Sequence, residues 1–250
     1  MAQPAPNADA RLAEQIVTWA ARLLTTLRDS GLLSGKPLGD AGDKVSNAFI
    51  VGALQAARPD DGILSEEGAR DNGRLGKQRV WIVDPLDGTR EYSEGRADYA
   101  VHVALAVDGV ATAGAVALPG QGVVFCSAAP PPLPASAPER ILVSRTRAPD
   151  LAAQIAWELG ADLMPMGSAG AKTMAVLRGE AQAYIHSGGQ YEWDSAAPVA
   201  VAQAAGLHAS RLDGRPLRYN QKDPYLPDLV VARPDYAPRL MQALARLALS

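Results

Sequence analysis

A chain of 250 residues, 48% hydrophobic and carrying a net charge of −3, is long enough to bury a large core as one globular unit or two compact halves. Its mildly acidic balance without a basic stripe excludes a nucleic-acid polymer as a natural partner, and no apolar run reaches the roughly 20 residues that span a bilayer. Its single cysteine, Cys126, excludes intramolecular disulfides and cysteine zinc sites, and with no histidine near it in sequence it reads as a small packing residue.

Residues 2–8 read as frayed. The segment from Met1 to Asn7 lacks the charged start and apolar core of a secretory signal, which points to the cytoplasm. Asp9 is placed to cap a helix running to about Arg28, with Leu12, Ile16, Trp19, Leu23 and Leu27 along one face. Gly31, Gly35 and Pro37 mark a loop, and a second helix is expected to begin near Asp43, with Val45, Phe49 and Ala53 inward. Asp43 has two readings: a helix cap worth about 1 kcal/mol, which its local sequence favours, or a group that orients a water. Gly62-Ile63-Leu64 is a brief strand ending at Ser65-Glu66-Glu67-Gly68. Those glutamates are either a solvated loop or carboxylates delivered by a strand end. The polar stretch from Asp71 to Gln78 reads as a mobile hairpin.

The stretch Val80-Trp81-Ile82-Val83-Asp84-Pro85-Leu86-Asp87-Gly88-Thr89 organises the rest. Its apolar run is a buried strand, and Pro85, which cannot donate to a ladder, should end it. Asp84 and Asp87 then project where open sheets place their ligands, Gly88 allows close backbone approach, and Thr89 can open a helix whose free N–H groups face an anion. The plain alternative is a strand followed by an Asp-Pro turn. From Tyr99 to Ser127 the chain reads as an antiparallel meander of three strands, with Asp108-Gly109 and Pro119 to Gly122 as turns and His102 as a structural residue inside the first strand.

The five prolines between Ala128 and Pro138 mark a linker. The expected division is therefore an N-terminal α+β half, residues 1–130, and a C-terminal α/β half, residues 139–250. The second half reads as a strand (Ile141 to Ser144), a helix (Pro149 to Leu159), a strand (Asp162 to Met166), a helix (Lys172 to Arg178), a strand (Ala181 to Ile185) and a loop at Gly188-Gly189. A helix from Glu192 to Ala205, a strand from Asp228 to Ala232 and a helix from Pro238 to Leu249 complete it.

Four acidic stations stand out: Asp43, Glu66 with Glu67, Asp84 with Asp87, and Asp194. Clustered carboxylates repel unless cations neutralise them, and oxygen-only ligands suit Mg²⁺ or Mn²⁺. The pieces Ser65-Glu66-Glu67-Gly68, Trp81 to Thr89, Gly167-Ser168 and Trp193-Asp194-Ser195-Ala196-Ala197-Pro198 stand together in an order that resembles the inositol monophosphatase superfamily of lithium-sensitive, Mg²⁺-dependent phosphatases. Ser168 to Lys172 and Pro216 to Asn220 make the chain most similar to the CysQ-type 3′(2′),5′-bisphosphate nucleotidases within it.

The resemblance implies an α+β fold, a layered αβαβα sandwich with the site between its halves. It implies that Glu66, Asp84, Asp87, Asp194 and the carbonyl of Leu86 bind two or three Mg²⁺ ions per site, with Mn²⁺ as a substitute and Glu67 assisting through water. Gly88, Thr89 and Ser168, with Asp87, Asp194 and Lys172, would hold the substrate. Thr89 with Asp43 would polarise the attacking water beside Glu66, a role that overrides the cap reading. The implied reaction is removal of the 3′-phosphate of adenosine 3′,5′-bisphosphate to give AMP, or of its sulfated analogue, in sulfate assimilation. Inositol 1-phosphate or fructose 1,6-bisphosphate hydrolysis is the alternative, and an inactive phosphate-binding regulator is the alternative of another class. Tyr219, Lys172 and Arg218 are candidates for holding the nucleotide, and a homodimer fits the resemblance.

Overall fold

Two five-stranded sheets and seven α-helices follow from the alternation of apolar runs, in a computed structural model that describes residues 6–68, 72–146, 148 and 150–247. Helices α1 (Pro6–Asp29) and α2 (Gly35–Ala57) precede the first sheet. That sheet has the order β1-β2-β3-β4-β5, from β1 (Gly62–Ser65), β2 (Arg79–Asp87), β3 (Ala100–Val107), β4 (Val110–Leu118) and β5 (Val123–Cys126). β1 runs parallel to β2, and the other pairs are antiparallel. The short α3 (Thr89–Ser93) follows β2 directly. The second sheet has the order β7-β6-β8-β10-β9, from β6 (Arg140–Ser144), β7 (Asp162–Met166), β8 (Ala183–Tyr191), β9 (His208–Ser210) and β10 (Tyr225–Ala232). It is joined by α4 (Asp150–Leu159), α5 (Ala169–Leu177), α6 (Glu192–Ala204) and α7 (Ala237–Leu247).

The strand alternation sorts the core into three layers. Trp81 and Val83 of β2 face α1 and α2 with Val101, Val103 and Leu105. Val80 and Ile82 face the other way, into a central layer where α5 and α6 pack between the sheets against Leu142, Tyr184 and Val231. Ile141, Val143, Ile185 and Val230 face α4 and α7 on the outside. The result is the αβαβα sandwich. Both faces of each sheet are covered, which is why its central strands read as continuous apolar runs. No helix among the described residues is long and apolar enough to cross a membrane.

Several boundaries differ from the sequence expectation. Asp9 lies inside α1, not at its cap, and its buried carboxylate pairs with Arg58 at 2.9 Å and Arg79 at 3.0 Å. The buried face of α1 is Ala13, Ile16, Val17, Ala20 and Leu24, whose small residues let the helix lie close on the sheet. Trp19 instead turns outward, 55% exposed, under the Arg22 guanidinium. α2 starts eight residues before Asp43, so Asp43 caps nothing, and Val45 faces solvent while Ser46, Ile50 and Leu54 face inward.

β2 continues through Pro85, because a register shift between Asp84 and Asp87 takes the proline out of the ladder. β8 likewise continues through Gly188 and Gly189, paired with β10 on either side. In place of a hairpin, residues 72–77 form turns, pinned by buried Arg74 through Asn220 Oδ1 at 2.6 Å and the Gln221 carbonyl at 3.0 Å. Asp71 lies outside the described residues. Cys126 is buried, as expected.

Candidate active site

The parallel pairing of β1 with β2 aims both strand ends the same way, so Glu66 and the Asp84–Asp87 segment arrive together. The N-termini of α3, α5 and α6 meet them there. At the register shift the Leu86 N–H donates to Asp84 Oδ1 at 3.1 Å, and Ser46 Oγ of α2 donates to the Pro85 carbonyl at 2.7 Å. Asp87 Oδ2 accepts the Gly170 N–H of α5 at 2.8 Å and lies 3.3 Å from His102 Nε2. His102 Nδ1 meets the Trp193 carbonyl at 3.1 Å, so one imidazole touches the segments bearing Asp87 and Asp194. Asp194, in the first turn of α6, accepts the Tyr191 N–H at 2.6 Å.

Asp84, Asp87 and Asp194 each offer an oxygen, all within 4.8 Å of one another. Among the described residues no lysine or arginine forms an ion pair with any of the three. Burial, then repulsion from Glu66, Asp87 and Asp194, pushes the Asp84 carboxyl well above the ordinary range. Asp194 is pushed up to about 8 by burial and Asp87, against the opposing Tyr191 N–H. Glu66 rises to about 7 through desolvation and then Asp43, Asp87 and Glu67, within hydrogen-bonding reach of Asp84. Solvent reaches Glu66 from its outer side, so its displacement is the most readily screened. An all-oxygen cage whose members repel, with no lysine or arginine in direct ion-pair contact among the described residues, fits a hard divalent cation. Glu66 interacts with Asp43 as well as with Asp84 and Asp87, and Glu67 raises Asp43.

Asp43 and Thr89 also meet. The Thr89 hydroxyl lies 3.3 Å from Asp43 Oδ2 and 3.1 Å from the Leu86 carbonyl, two acceptors for one proton. Burial and Glu67 raise the Asp43 carboxyl to about 7, with the Thr89 hydrogen bond opposing them.

Gly88 has φ 90°, a left-handed conformation that glycine adopts without strain, and a Cβ there would stand 3.2 Å from Ser168 Cβ. Ser168 caps α5 by accepting the Ala171 N–H at 2.9 Å. Lys172 is buried, donates to the Ser168 and Gly167 carbonyls, and lies 4.9 Å from the Tyr184 ring centroid. Burial lowers its ammonium to about 8, against the pull of Asp87. Its amine is thus committed to the turn that Ser168 closes. A cavity of about 210 Å³ opens here, lined by Asp87, Gly88, Ser168 and Asp194 together with Arg145 and Gln190.

Two expected nucleotide contacts lie elsewhere. Tyr219 is buried in the core, its hydroxyl 3.3 Å from Ser195 Oγ, and Arg218 is exposed on a separate groove with Arg211 and Tyr225. Sequence reasoning missed Arg145, His186 and Gln190, which line the cavity without any motif to mark them. It also missed the link from His102 to the cage, although His102 stands directly opposite Asp84 in the β2–β3 register.

The sequence profile of the inositol monophosphatase family matches residues 33–248. The chain belongs to the inositol monophosphatase family. It is 49% identical over 251 residues to the 3′-phosphoadenosine 5′-phosphate phosphatase of Mycobacterium leprae (strain TN), covering 93% of this chain and 92% of that relative. It is 31% identical over 206 residues to the 3′(2′),5′-bisphosphate nucleotidase CysQ of Escherichia coli (strain K12), covering 74% and 81%. Two solved structures share the family fold. CysQ from Bacteroides thetaiotaomicron superposes with a TM-score of 0.80 at 23% identity, covering 91% and 97% of the two chains. Inositol monophosphatase from Anabaena (Nostoc) sp. PCC 7120 does so with a TM-score of 0.78 at 21% identity, covering 96% of each.

Proposed function

We propose that this chain is a divalent-metal phosphatase that removes the 3′-phosphate of adenosine 3′,5′-bisphosphate, giving AMP and phosphate, and accepts the sulfated analogue. The observation that carries the reading is the convergence of Asp84, Asp87 and Asp194 in one cluster, with Asp87 and Asp194 lining the same cavity as Gly88 and Ser168. The 49% identity to a protein named for this substrate supports it. Asp84, Asp87, Asp194, Glu66 and the Leu86 carbonyl would hold Mg²⁺, with Mn²⁺ as a substitute. Bound there, the ions supply Lewis-acid charge to the phosphoryl group and acidify water.

The chain's own residues do the rest. Gly88 and the Ser168 turn hold the non-bridging oxygens, and the oxygens of Asp194 and Asp87 bound the leaving-group side. The attacking water loses its proton to Thr89 Oγ1, whose own proton passes to Asp43 Oδ2. Burial suits Asp43 to that role, since a base near pH 7 is poised to take and release a proton. Residues 1–130 would supply most of the acidic jaw and residues 139–250 Asp194 and the phosphate turn. A cytoplasmic homodimer serving sulfate assimilation completes the proposal.

Phosphate release from a panel of adenosine 3′,5′-bisphosphate, its sulfated analogue, inositol 1-phosphate and fructose 1,6-bisphosphate, with and without Mg²⁺, tests it. The highest kcat/KM should fall on the nucleotide and vanish with EDTA. A hundredfold preference for inositol 1-phosphate would overturn the substrate, and no release from any ester would leave only a phosphate-binding protein.

A further inference from the structure

The Gly167-Ser168 turn is fastened by a residue that faces it from the other side of the linker. Asp98 lies between α3 and β3, and does not line the cavity. Its Oδ2 accepts the Gly167 N–H at 2.8 Å, and its backbone carbonyl accepts the Ser168 N–H at 3.1 Å. Arg96 braces the same carboxylate through Nε at 2.7 Å and Nη2 at 2.8 Å. The approach leaves no slack: a Cβ on Gly167 would stand 2.5 Å from Glu91 Cγ and 2.6 Å from the Asp98 carbonyl oxygen.

These bonds decide what the turn can offer an anion. Asp98 takes the Gly167 and Ser168 N–H groups, Asp87 takes that of Gly170, and Ser168 Oγ takes that of Ala171. The Lys172 N–H closes onto the Ser168 carbonyl at 3.2 Å. The Ala169 N–H is the one donor of this run without a partner among the described residues, and Ala169 lines the cavity beside the Ser168 hydroxyl. We infer that Asp98 is a positioning residue for phosphoester binding: by holding Gly167 and Ser168 from behind, it aims the Ala169 N–H and the Ser168 hydroxyl at the phosphoryl oxygens. The inference rests on the reading that this turn receives the phosphate.

Donors to non-bridging oxygens touch the bound ester and the transition state alike, so losing their aim raises KM and leaves kcat. In the Mg²⁺-loaded protein, Asp98→Ala should raise KM for adenosine 3′,5′-bisphosphate and the dissociation constant of inorganic phosphate about tenfold, with kcat within about threefold. Asp98→Asn keeps an acceptor for the Gly167 N–H and should restore both to within about threefold. If Asp98→Ala does not fold, Asp98→Ser, too short to reach Gly167, is read the same way. Calorimetry with inorganic phosphate separates the two claims. A wild-type protein that leaves the nucleotide intact, yet binds phosphate about tenfold better than Asp98→Ala, overturns the substrate and upholds the role of Asp98. Unchanged phosphate affinity in the alanine or serine variant, with or without a lower melting temperature, means that Asp98 only holds the halves together and overturns the inference.

Discussion

Asp84, Asp87 and Asp194 are held in place by backbone N–H groups, and among the described residues no lysine or arginine forms an ion pair with them, so the crowded carboxylates repel one another. A carboxyl whose pKa rises on folding keeps its proton more tightly in the native state. Stability is then greatest below the unfolded value, near 4, and is lost as pH climbs toward the folded value, about 8 for Asp194. Metal-free protein should therefore melt higher at pH 6 than at pH 8, and Asp194→Asn, which keeps an acceptor for the Tyr191 N–H, should flatten that slope. Thermal melts in EDTA check both. Asp84→Asn should melt higher without metal but lose about a thousandfold or more in turnover with it, because the developing charge loses its clamp. Gly170 is bound by space rather than charge: a Cβ there would stand 2.1 Å from His102 Nε2. Gly170→Ala should cost about 1–3 kcal/mol by overpacking, read from urea unfolding, and should weaken the metal-dependent melting shift by moving the N–H that holds Asp87.

At the scale of the element, the kink in β2 is what spreads Asp84 and Asp87 along one edge of the cavity. The register shift removes the Pro85 carbonyl from the ladder, and the Ser46 hydroxyl on α2 satisfies it inside the core. Ser46→Ala leaves that carbonyl buried without a donor, a loss of about 1–3 kcal/mol. Denaturant titration of the metal-free protein should show it, and an unchanged midpoint would mean that a water takes the hydroxyl's place. The kink itself was not legible in the sequence, because a proline after an aspartate reads first as a strand end. What was legible was the pairing of apolar runs with acids at their ends: Ile63-Leu64 before Glu66, Val80 to Val83 before Asp84. The α1 face was misread because small residues, Ala13 and Ala20, outrank Trp19 where a helix must lie close on a sheet. Helix starts were misread for a related reason. Asp9 and Asp43 both look like caps, yet one is an internal ion-pair partner and the other faces Thr89. Local sequence cannot distinguish a capping aspartate from one that a distant strand or helix will meet.

The whole molecule joins its parts through the middle layer. Val80, Ile82, Ala104 and Val116 of the first sheet pack in one cluster with Met174, Val176 and Val199 of α5 and α6, which come after the proline-rich linker. Arg74 adds a polar tie to Asn220 and Gln221, and Asp98 a second to Gly167 and Ser168. Residues 1–130 alone would lay one whole face of β2, β3 and β4 open to water, and apolar burial is the main force holding such a layer. The two halves should therefore unfold together. Calorimetry of the intact chain should give a single transition whose calorimetric and van't Hoff enthalpies agree, and residues 1–130 expressed alone should lack a cooperative melt. Two resolved transitions, or a folded isolated half, would show that the linker separates units able to stand apart. Mg²⁺ sharpens the test, since the ion is proposed to take ligands from both halves, Asp84 and Asp87 before the linker and Asp194 after it. Bound metal should then raise one common melting temperature. An ion held by the first half alone would raise only part of a split transition.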